Sequence, residues 1–452
     1  MEKLSAVYIS KLCGGRLLGE DAYITGIVRD NREIRGGEMF VAICGEKFDG
    51  HDFVHDAEKK GASAVLVSRE IQGLRIPQII VDDTVAALGK IAKGYLETLS
   101  LRRVCITGSV GKTTTKEMCA ATLSASFKTH KTQGNYNNNI GLPLTVFGLD
   151  KSHEAAVFEI GTNHFGEILP LTRIAAPEVA VITTIGASHL EAFGTKEGVL
   201  REKTEIFKGL TKDGIAVLNG DDPLLWGMRG KIPHRVIWFG LENAECDVFG
   251  EILSNGAYES TFTVRGNAVK FAIACGGEHN VRDALSAIAV GRALGMADDA
   301  IAEGLSRFKN TGMRQDIYEY KGIKVIRDCY NANPDSMRAS LSLLRDFNVD
   351  GKRICALGDM RELGENAEEF HRQVGEFAVA CADMVFVTGE YAESYLAGAG
   401  EKCIICEDKK SIAAKLSEHL KAGDALLVKG SYGTKMWQVL EHLQGEREQE
   451  SE

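Results

Sequence analysis

Val104 to Ile106 form a short apolar run that leads directly into TGSVGKTTT, Thr107 to Thr115, and then into a helical stretch. A strand, a glycine turn and a helix N-terminus in that order make a phosphate cradle. Glycines let backbone N–H groups close around the oxygens, and the helix end adds a positive field. Lys112 is placed to reach terminal phosphates and Thr113 to hold magnesium, while Gly108, Ser109, Val110, Gly111 and Thr114 complete the loop. The motif also constrains the fold, because it needs a strand whose carboxyl end opens onto a helix, the repeating unit of a parallel sheet covered on both faces. The longer phosphate-loop pattern would put a first glycine at position 106, where this chain has Ile106, so the loop is a shorter variant.

Strands and helices of that kind recur along the chain. Met39 to Ile43 and Ala64 to Val67 read as strands near a helical Phe53 to Gly61, forming a small α/β unit before a boundary near residue 85. Val85 to Leu99 has helical periodicity. Strands at Ala156 to Phe158, Val179 to Thr183 and Ile215 to Asn219 then alternate with helices, as do Lys324 to Arg327, Ile354 to Leu357, Met384 to Val387 and Ala425 to Val428. The 452 residues exceed what one core usually organises. Three units are expected, at 1–85, 86–312 and 313–452, and the acidic tail Glu446 to Glu452 is expected to fray.

A net charge of -10 disfavours a general nucleic-acid or anionic-membrane binder, so an anionic substrate must meet locally placed cations. Eleven cysteines without a disulfide-like framework argue for a reducing compartment, by default the cytoplasm. Cys403-Ile-Ile-Cys406 has no second pair, and its apolar filling reads as a buried strand rather than a zinc or redox site. No apolar run reaches the ~18 residues that span a bilayer, and no export signal opens the chain.

Further polar groups sit at strand ends, where open α/β sheets bind ligands. Glu159 follows Ala156 to Phe158 and could coordinate magnesium, and His189 lies in the loop after Val179 to Thr183. Taken singly, Glu159 reads rather as a helix-capping acid and His189 as a surface histidine, and Lys203 far more readily as an ordinary solvated helix lysine. A switch GTPase would carry an Asn-Lys-x-Asp element, which is absent.

The order and spacing of further segments resemble the Mur ligase family: TQGNYNNNIGLP (Thr132 to Pro143), FEIGTNHFGEI (Phe158 to Ile168), TTIGASHLEAFG (Thr183 to Gly194), GEHNVRDALSAIAV (Gly277 to Val290), DCYNANPDSM (Asp328 to Met337), LGDMRELG (Leu357 to Gly364) and KGSYGTKM (Lys429 to Met436). The resemblance covers nearly the whole chain. It implies an α/β fold of three domains: an N-terminal domain for the UDP end of a substrate, a central P-loop ATPase-type domain with a mostly parallel sheet, and a C-terminal Rossmann-like domain. The YNANP segment points to the branch that joins D-alanyl-D-alanine to UDP-N-acetylmuramoyl-tripeptide, using ATP and an acyl phosphate. A folylpolyglutamate synthase would use similar chemistry but lack that segment and the N-terminal domain.

The same resemblance implies roles residue by residue. Lys112, Glu159, His189 and Lys203 are the expected catalytic set, with two magnesium ions on Thr113, Glu159, His189 and a carbamylated Lys203. Asn280 and Asn331 match positions near adenine and ribose, Arg314 the arginine beside the phosphates, and Asp328 a group that orients the nucleotide. Asn31 and Arg32 match UDP contacts, and Asn333 a substrate contact. Asn135 and Asn138 are expected to touch the muramoyl substrate or to order its loop, the asparagine-rich turn being the alternative. Asp283 departs from a common family asparagine, and Tyr432 from a small polar residue or arginine. A monomer is the default.

Overall fold

The computed structural model describes residues 1–310 and 312–445, so the tail expected to fray lies outside the described residues. Three large sheets organise the described residues, beside a two-stranded pair of Leu4–Ser5 and Tyr23–Ile24. The first has five strands in the order Arg16–Leu18, Gln78–Ile80, Ala64–Val67, Glu38–Val41 and Gly26–Val28, all parallel except the first pair. The second has nine, running from Lys270–Ile273 through Ser260–Val264, Val248–Asn255, Arg235–Gly240, Ile215–Asn219, Val179–Ile182, Arg102–Thr107 and Ala155–Glu159 to Thr129–Lys131. The third has six, Asp316–Tyr320, Ile323–Asp328, Ala425–Lys429, Arg353–Leu357, Met384–Val387 and Cys403–Ile405, parallel after an antiparallel edge hairpin.

The strand Arg102–Thr107 shows why the middle of the chain folds this way. Val104 and Ile106 join the core with Met118, Leu123, Val281 and Leu285 on one face of the sheet, whereas Cys105 joins Leu142, Ile168 and Leu171 on the other. All three are completely buried. Each large aliphatic so placed contributes roughly 1.5–3 kcal/mol, and the pleat forces successive side chains to opposite faces. The strand's flanking neighbours, Val179–Ile182 and Ala155–Glu159, are both parallel to it, so three carboxyl ends open at one edge.

Thr84–Leu96 joins the first two sheets. Asp83 caps it by accepting from the N–H groups of Val85 and Ala86, and buried Tyr95 donates to the Leu149 carbonyl at 2.7 Å while accepting from Glu2 N at 2.8 Å. Pro334–Asp346 is the first helix after the edge hairpin of the third sheet, with Pro334 in its first turn and Asn333 and Ser336 forming a reciprocal capping box.

The helical reading of Phe53 to Gly61 holds as the helix Val54–Lys59, preceded by a 3-10 turn, Gly50–Phe53, that Asp49 starts by capping His51. Two other local features depart from the sequence expectations. The second sheet ends in an antiparallel extension, Val248–Asn255 with Ser260–Val264 and Lys270–Ile273, that was not foreseen. Cys403–Ile405 is a half-buried edge strand rather than a buried one, since it pairs with Met384–Val387 alone. Among the described residues every cysteine is a free thiol, and no helix is long and apolar enough to cross a membrane.

Candidate active site

A cavity of about 480 Å³ lies where the carboxyl ends of the second and third sheets face each other. The phosphate loop forms its base. Gly108 and Gly111 have positive φ, 151° and 85°, and a Cβ at Gly108 would run into Thr183 Oγ1. The neighbouring strand end fixes the loop: Ser109 N donates to Thr184 O at 2.9 Å, Val110 N to Thr184 Oγ1 at 3.2 Å, and Thr183 Oγ1 to Val110 O at 2.5 Å. Lys112 begins the helix Lys112–Leu123 and folds back, its Nζ donating to Gly108 O at 2.7 Å and Ser109 O at 3.3 Å. Burial, only partly offset by the Glu159 carboxylate and reinforced by Arg314, pushes the Lys112 ammonium down to about 8. Phosphate oxygens at this point would restore its full charge.

Glu159 ends the adjacent strand and is 3% exposed, with both oxygens engaged. Thr113 Oγ1 donates to Oε2 at 2.9 Å and Asn137 Nδ2 to Oε1 at 2.9 Å. Thr113 and Glu159 thus offer adjacent hard oxygens of the kind magnesium takes, and no cluster of three or more histidine, cysteine or acidic ligands exists among the described residues. That donor set fits an ion bound chiefly through substrate phosphates and water, rather than one in an all-protein cage.

His189 and Glu362 both adopt left-handed backbone conformations, φ 53° and 64°, which cost a non-glycine residue roughly 1–3 kcal/mol. The pair is joined, His189 Nδ1 to Glu362 Oε2 at 2.5 Å, and the imidazole holds that carboxyl below its ordinary range. A second link between the units runs from Ala187 N to Asp335 Oδ2 at 3.3 Å.

The third sheet supplies the opposite wall. Asp328 ends its strand, and Oδ2 accepts from Lys429 Nζ at 2.6 Å and from Ser340 Oγ at 2.6 Å. Burial alone would raise the Asp328 carboxyl, but the Lys429 ammonium outweighs it and holds the group low. Lys429 also donates to Asn331 O at 3.1 Å, which ties the YNANP turn to the pair. The Arg314 guanidinium stacks 4.0 Å from the centre of the Tyr330 ring. Asn280, 2% exposed, donates to Gly276 O at 2.6 Å and Gln315 Oε1 at 2.7 Å.

Most of the residues singled out in the sequence line this one cavity: the loop Ser109 to Thr114, Glu159, His189, Asn280, Arg314, Asp328, Asn331, Asn333, Asn135 and Asn138. Asn138 Oδ1 accepts from the N–H groups of Ile140 and Gly141, and Asn333 Oδ1 from Ser336 N, so each also orders its own backbone. Gly108 sits behind the loop against Thr183, and three residues lie elsewhere. Asn31 donates to Asp56 Oδ2 at 2.5 Å, and the Arg32 side chain is 82% exposed beside Asp30. Lys203 is 1% exposed with no hydrogen bond or ion pair among the described residues, and burial together with the Lys112 charge keeps its amine far below the usual lysine range. The sequence reading passed over Asn137, Thr183, Gln315, Glu362 and Lys429. Asn137, Thr183, Glu362 and Lys429 all stand inside motif segments, but their partners are distant in sequence.

The two departures have different consequences. Tyr432 is 57% exposed and packs on Trp437, ring centres 4.9 Å apart. Asp283 presses on the loop, where a Cβ at Gly111 would lie 2.6 Å from its Oδ1. Burial pushes its carboxyl up to about 8, against the Thr115 hydroxyl and Arg282, so a neutral acid stands where an amide is common. Between its unfolded value of 3.8 and about 8, the folded state keeps a proton that the unfolded state has lost. Stability should therefore fall as pH rises through that window. Asp283→Asn is expected to flatten the fall, with its thermal midpoint gaining on the parent by on the order of a few degrees between pH 5 and pH 8; equal pH slopes in nucleotide-free melts would refute this.

Comparison with known proteins agrees with the geometry. Three family models match, described as the Mur ligase family catalytic domain over residues 23–96, the Mur ligase middle domain over 106–291 and the Mur ligase glutamate ligase domain over 313–432. The UDP-N-acetylmuramoyl-tripeptide–D-alanyl-D-alanine ligase of Bacillus subtilis (strain 168) is 37% identical over 457 residues, 98% of this chain and 99% of the relative. A solved UDP-N-acetylmuramoylalanyl-D-glutamyl-2,6-diaminopimelate–D-alanyl-D-alanyl ligase from Acinetobacter baumannii superposes with a TM-score of 0.88 at 31% identity, covering 99% of each chain. A MurF ligase from Thermotoga maritima in complex with ADP gives a TM-score of 0.84 at 32% identity, over 93% of this chain and 97% of that one. With matches spread over all three sheets and a relative aligned end to end, the chain belongs to the Mur ligase family.

Proposed function

We propose that this protein is an ATP-dependent ligase that joins D-alanyl-D-alanine to UDP-N-acetylmuramoyl-tripeptide, giving the pentapeptide precursor of peptidoglycan. The observation that carries the reading is the convergence on one cavity of the loop lysine, the Thr113–Glu159 oxygen pair and the Arg314, Asp328 and Lys429 wall of the third sheet. A carboxylate does not condense with an amine unaided. One oxygen of the tripeptide carboxylate attacks the γ-phosphorus of ATP, the bond to the β-phosphate oxygen breaks, and ADP leaves an acyl phosphate. Lys112 and Arg314 offset the negative charge that spreads over the transferring oxygens, which is how proteins mainly assist this step. The neutral dipeptide amine then attacks the acyl carbon, the C–N bond forms, the nitrogen gives up one proton to solvent or to the departing phosphate, and phosphate leaves with the C–O electron pair.

Thr113 and Glu159 would hold one magnesium ion, whose charge, when bound, adds to that of Lys112. His189 and Lys203 are the candidates for a second. As an ammonium Lys203 would repel a cation. Its buried, unpaired amine can instead attack carbon dioxide through nitrogen and lose a proton, and the resulting carbamate offers oxygens that magnesium prefers. Asn280, Asn331 and Asp328 would position the nucleoside, Asn135, Asn138 and Asn333 the acyl substrate, and Asn31 with Arg32 its UDP end. Domains are placed at 1–85, 86–312 and 313–452, with Thr84–Leu96 bridging the first joint. The protein is read as a cytoplasmic monomer.

The test supplies ATP, magnesium, UDP-N-acetylmuramoyl-tripeptide and D-alanyl-D-alanine, omitting each in turn. A joined product seen by mass only in the complete mixture is expected. Phosphate release that ignores the dipeptide, with no joined product, would overturn the assignment.

A further inference from the structure

A second cavity, about 470 Å³, opens between the helices Thr84–Leu96 and Ile168–Ala175. It shares Asn138, Asn139, Gly161 and Glu167 with the first cavity, so the two are neighbouring rooms with one wall in common. Gly89 lets the helices meet, since a Cβ there would already stand 3.0 Å from Ile174 Cδ1. The floor is apolar and the rim is basic: Lys90 and Lys93, one turn apart, face Arg173 across the gap. None of the three forms an ion pair among the described residues. The acids beside them are already committed, Asp83 to the N–H groups that begin its helix and Glu167 Oε2 to Asn163 N at 2.7 Å and His164 N at 3.1 Å. An anion entering here would meet unpaired cations over a surface that suits small aliphatic groups.

We infer that this room holds the peptide stem of the acyl substrate, with Lys90, Lys93 and Arg173 taking a carboxylate of the stem that does not react. The inference rests on the ligase reading above. In that reaction the terminal carboxylate must lie at the ATP phosphates, so the residues preceding it have to leave the first cavity toward the N-terminal unit. The shared wall at Asn138 and Gly161 is where the two rooms adjoin. A stem that contains a glutamyl residue, as the Acinetobacter relative's name specifies, keeps one glutamyl carboxylate free whichever carboxyl carries the chain. Alanyl methyl groups match the floor.

The experiment compares wild type with Lys90→Ala/Lys93→Ala and with Arg173→Ala, each assayed on UDP-N-acetylmuramoyl-tripeptide and on the same compound with its free glutamyl carboxylate converted to a carboxamide. With the acid, both variants should raise the KM for the tripeptide about tenfold while the KM for ATP stays within about twofold, since charge-assisted contacts are lost at one end of the site only. The carboxamide should show a similarly raised KM with wild type and little further change with the variants. A KM within twofold of wild type on the acid, or an equal rise on acid and carboxamide, overturns the inference and leaves the ligase reading standing. Absence of joined product from wild type with the acid overturns the ligase reading itself.

Discussion

Lys112→Ala is expected to lower kcat by about a thousandfold or more, with the melting temperature of the nucleotide-free protein changed by no more than a few degrees. The two halves of this expectation have separate causes. In the free protein Lys112 Nζ reaches only the carbonyls of Gly108 and Ser109, so removing it breaks two hydrogen bonds on a partly exposed loop and leaves no buried carboxylate unpaired. During phosphoryl transfer the same ammonium would lie against oxygens whose charge is moving, in a cavity where burial already weakens its protonation. Losing one such charge typically costs ~10²–10³ in rate, and more where the phosphoryl group has few other cations. Single-turnover ADP formation measured with saturating tripeptide isolates the step. Lys112→Arg should recover little, because the loop carbonyls are spaced for a compact ammonium and a planar fork does not fit the same point. Activity within tenfold of wild type in the alanine variant would remove the loop lysine from catalysis.

The loop was legible because its determinants are contiguous: glycines at positive φ, a lysine and a threonine within a few residues of an apolar strand. Glu159 and His189 were legible for a related reason, since each follows a parallel strand whose carboxyl end must face the ligand edge. Other parts of the site depend on contacts across long separations. Lys429 meets Asp328 from 101 residues away, and Glu362 meets His189 across the two units; neither pairing leaves a local trace. The antiparallel strands from Val248 to Ile273 were missed because their mixture of polar and apolar residues resembles a surface segment until Phe262 and Phe271 stack into the core. Asp283 shows a third case. Its departure from a family asparagine is visible in the sequence, but the sense of it comes only from its seat against Gly111, where burial favours the neutral acid.

Lys203 offers the sharpest separation between folding and chemistry. Lys203→Ala should lose activity by about a hundredfold to a thousandfold, the range expected when a charge-stabilising group is removed, without becoming less stable than a cavity of that size requires. A methionine at the same position keeps most of the packing and serves as the control for volume. The physical reason is that Lys203 Nζ makes no hydrogen bond or ion pair among the described residues, and its protonation is opposed by burial and by the nearby Lys112 charge, with only the Glu202 carboxylate favouring it. An amine whose protonation is disfavoured in this way is free to react. If it carries a carbamate, wild type grown or assayed with ¹³C-labelled bicarbonate should show a carbamate carbon resonance that both variants lack, and bicarbonate should raise wild-type activity after carbon dioxide has been stripped from the buffer. Neither variant should respond, because no amine remains to form the new N–C bond. The adjacent Glu202 supplies the contrast: its carboxylate accepts from the N–H groups of Gly166, Glu167 and Ile168, so its loss would disturb the loop that divides the two cavities and would alter stability and substrate affinity together. A Lys203→Ala protein that turns over at the wild-type rate, or a wild-type protein that is fully active with no labelled carbon on it, would sink the carbamate and leave Lys203 as a buried amine whose presence the fold tolerates.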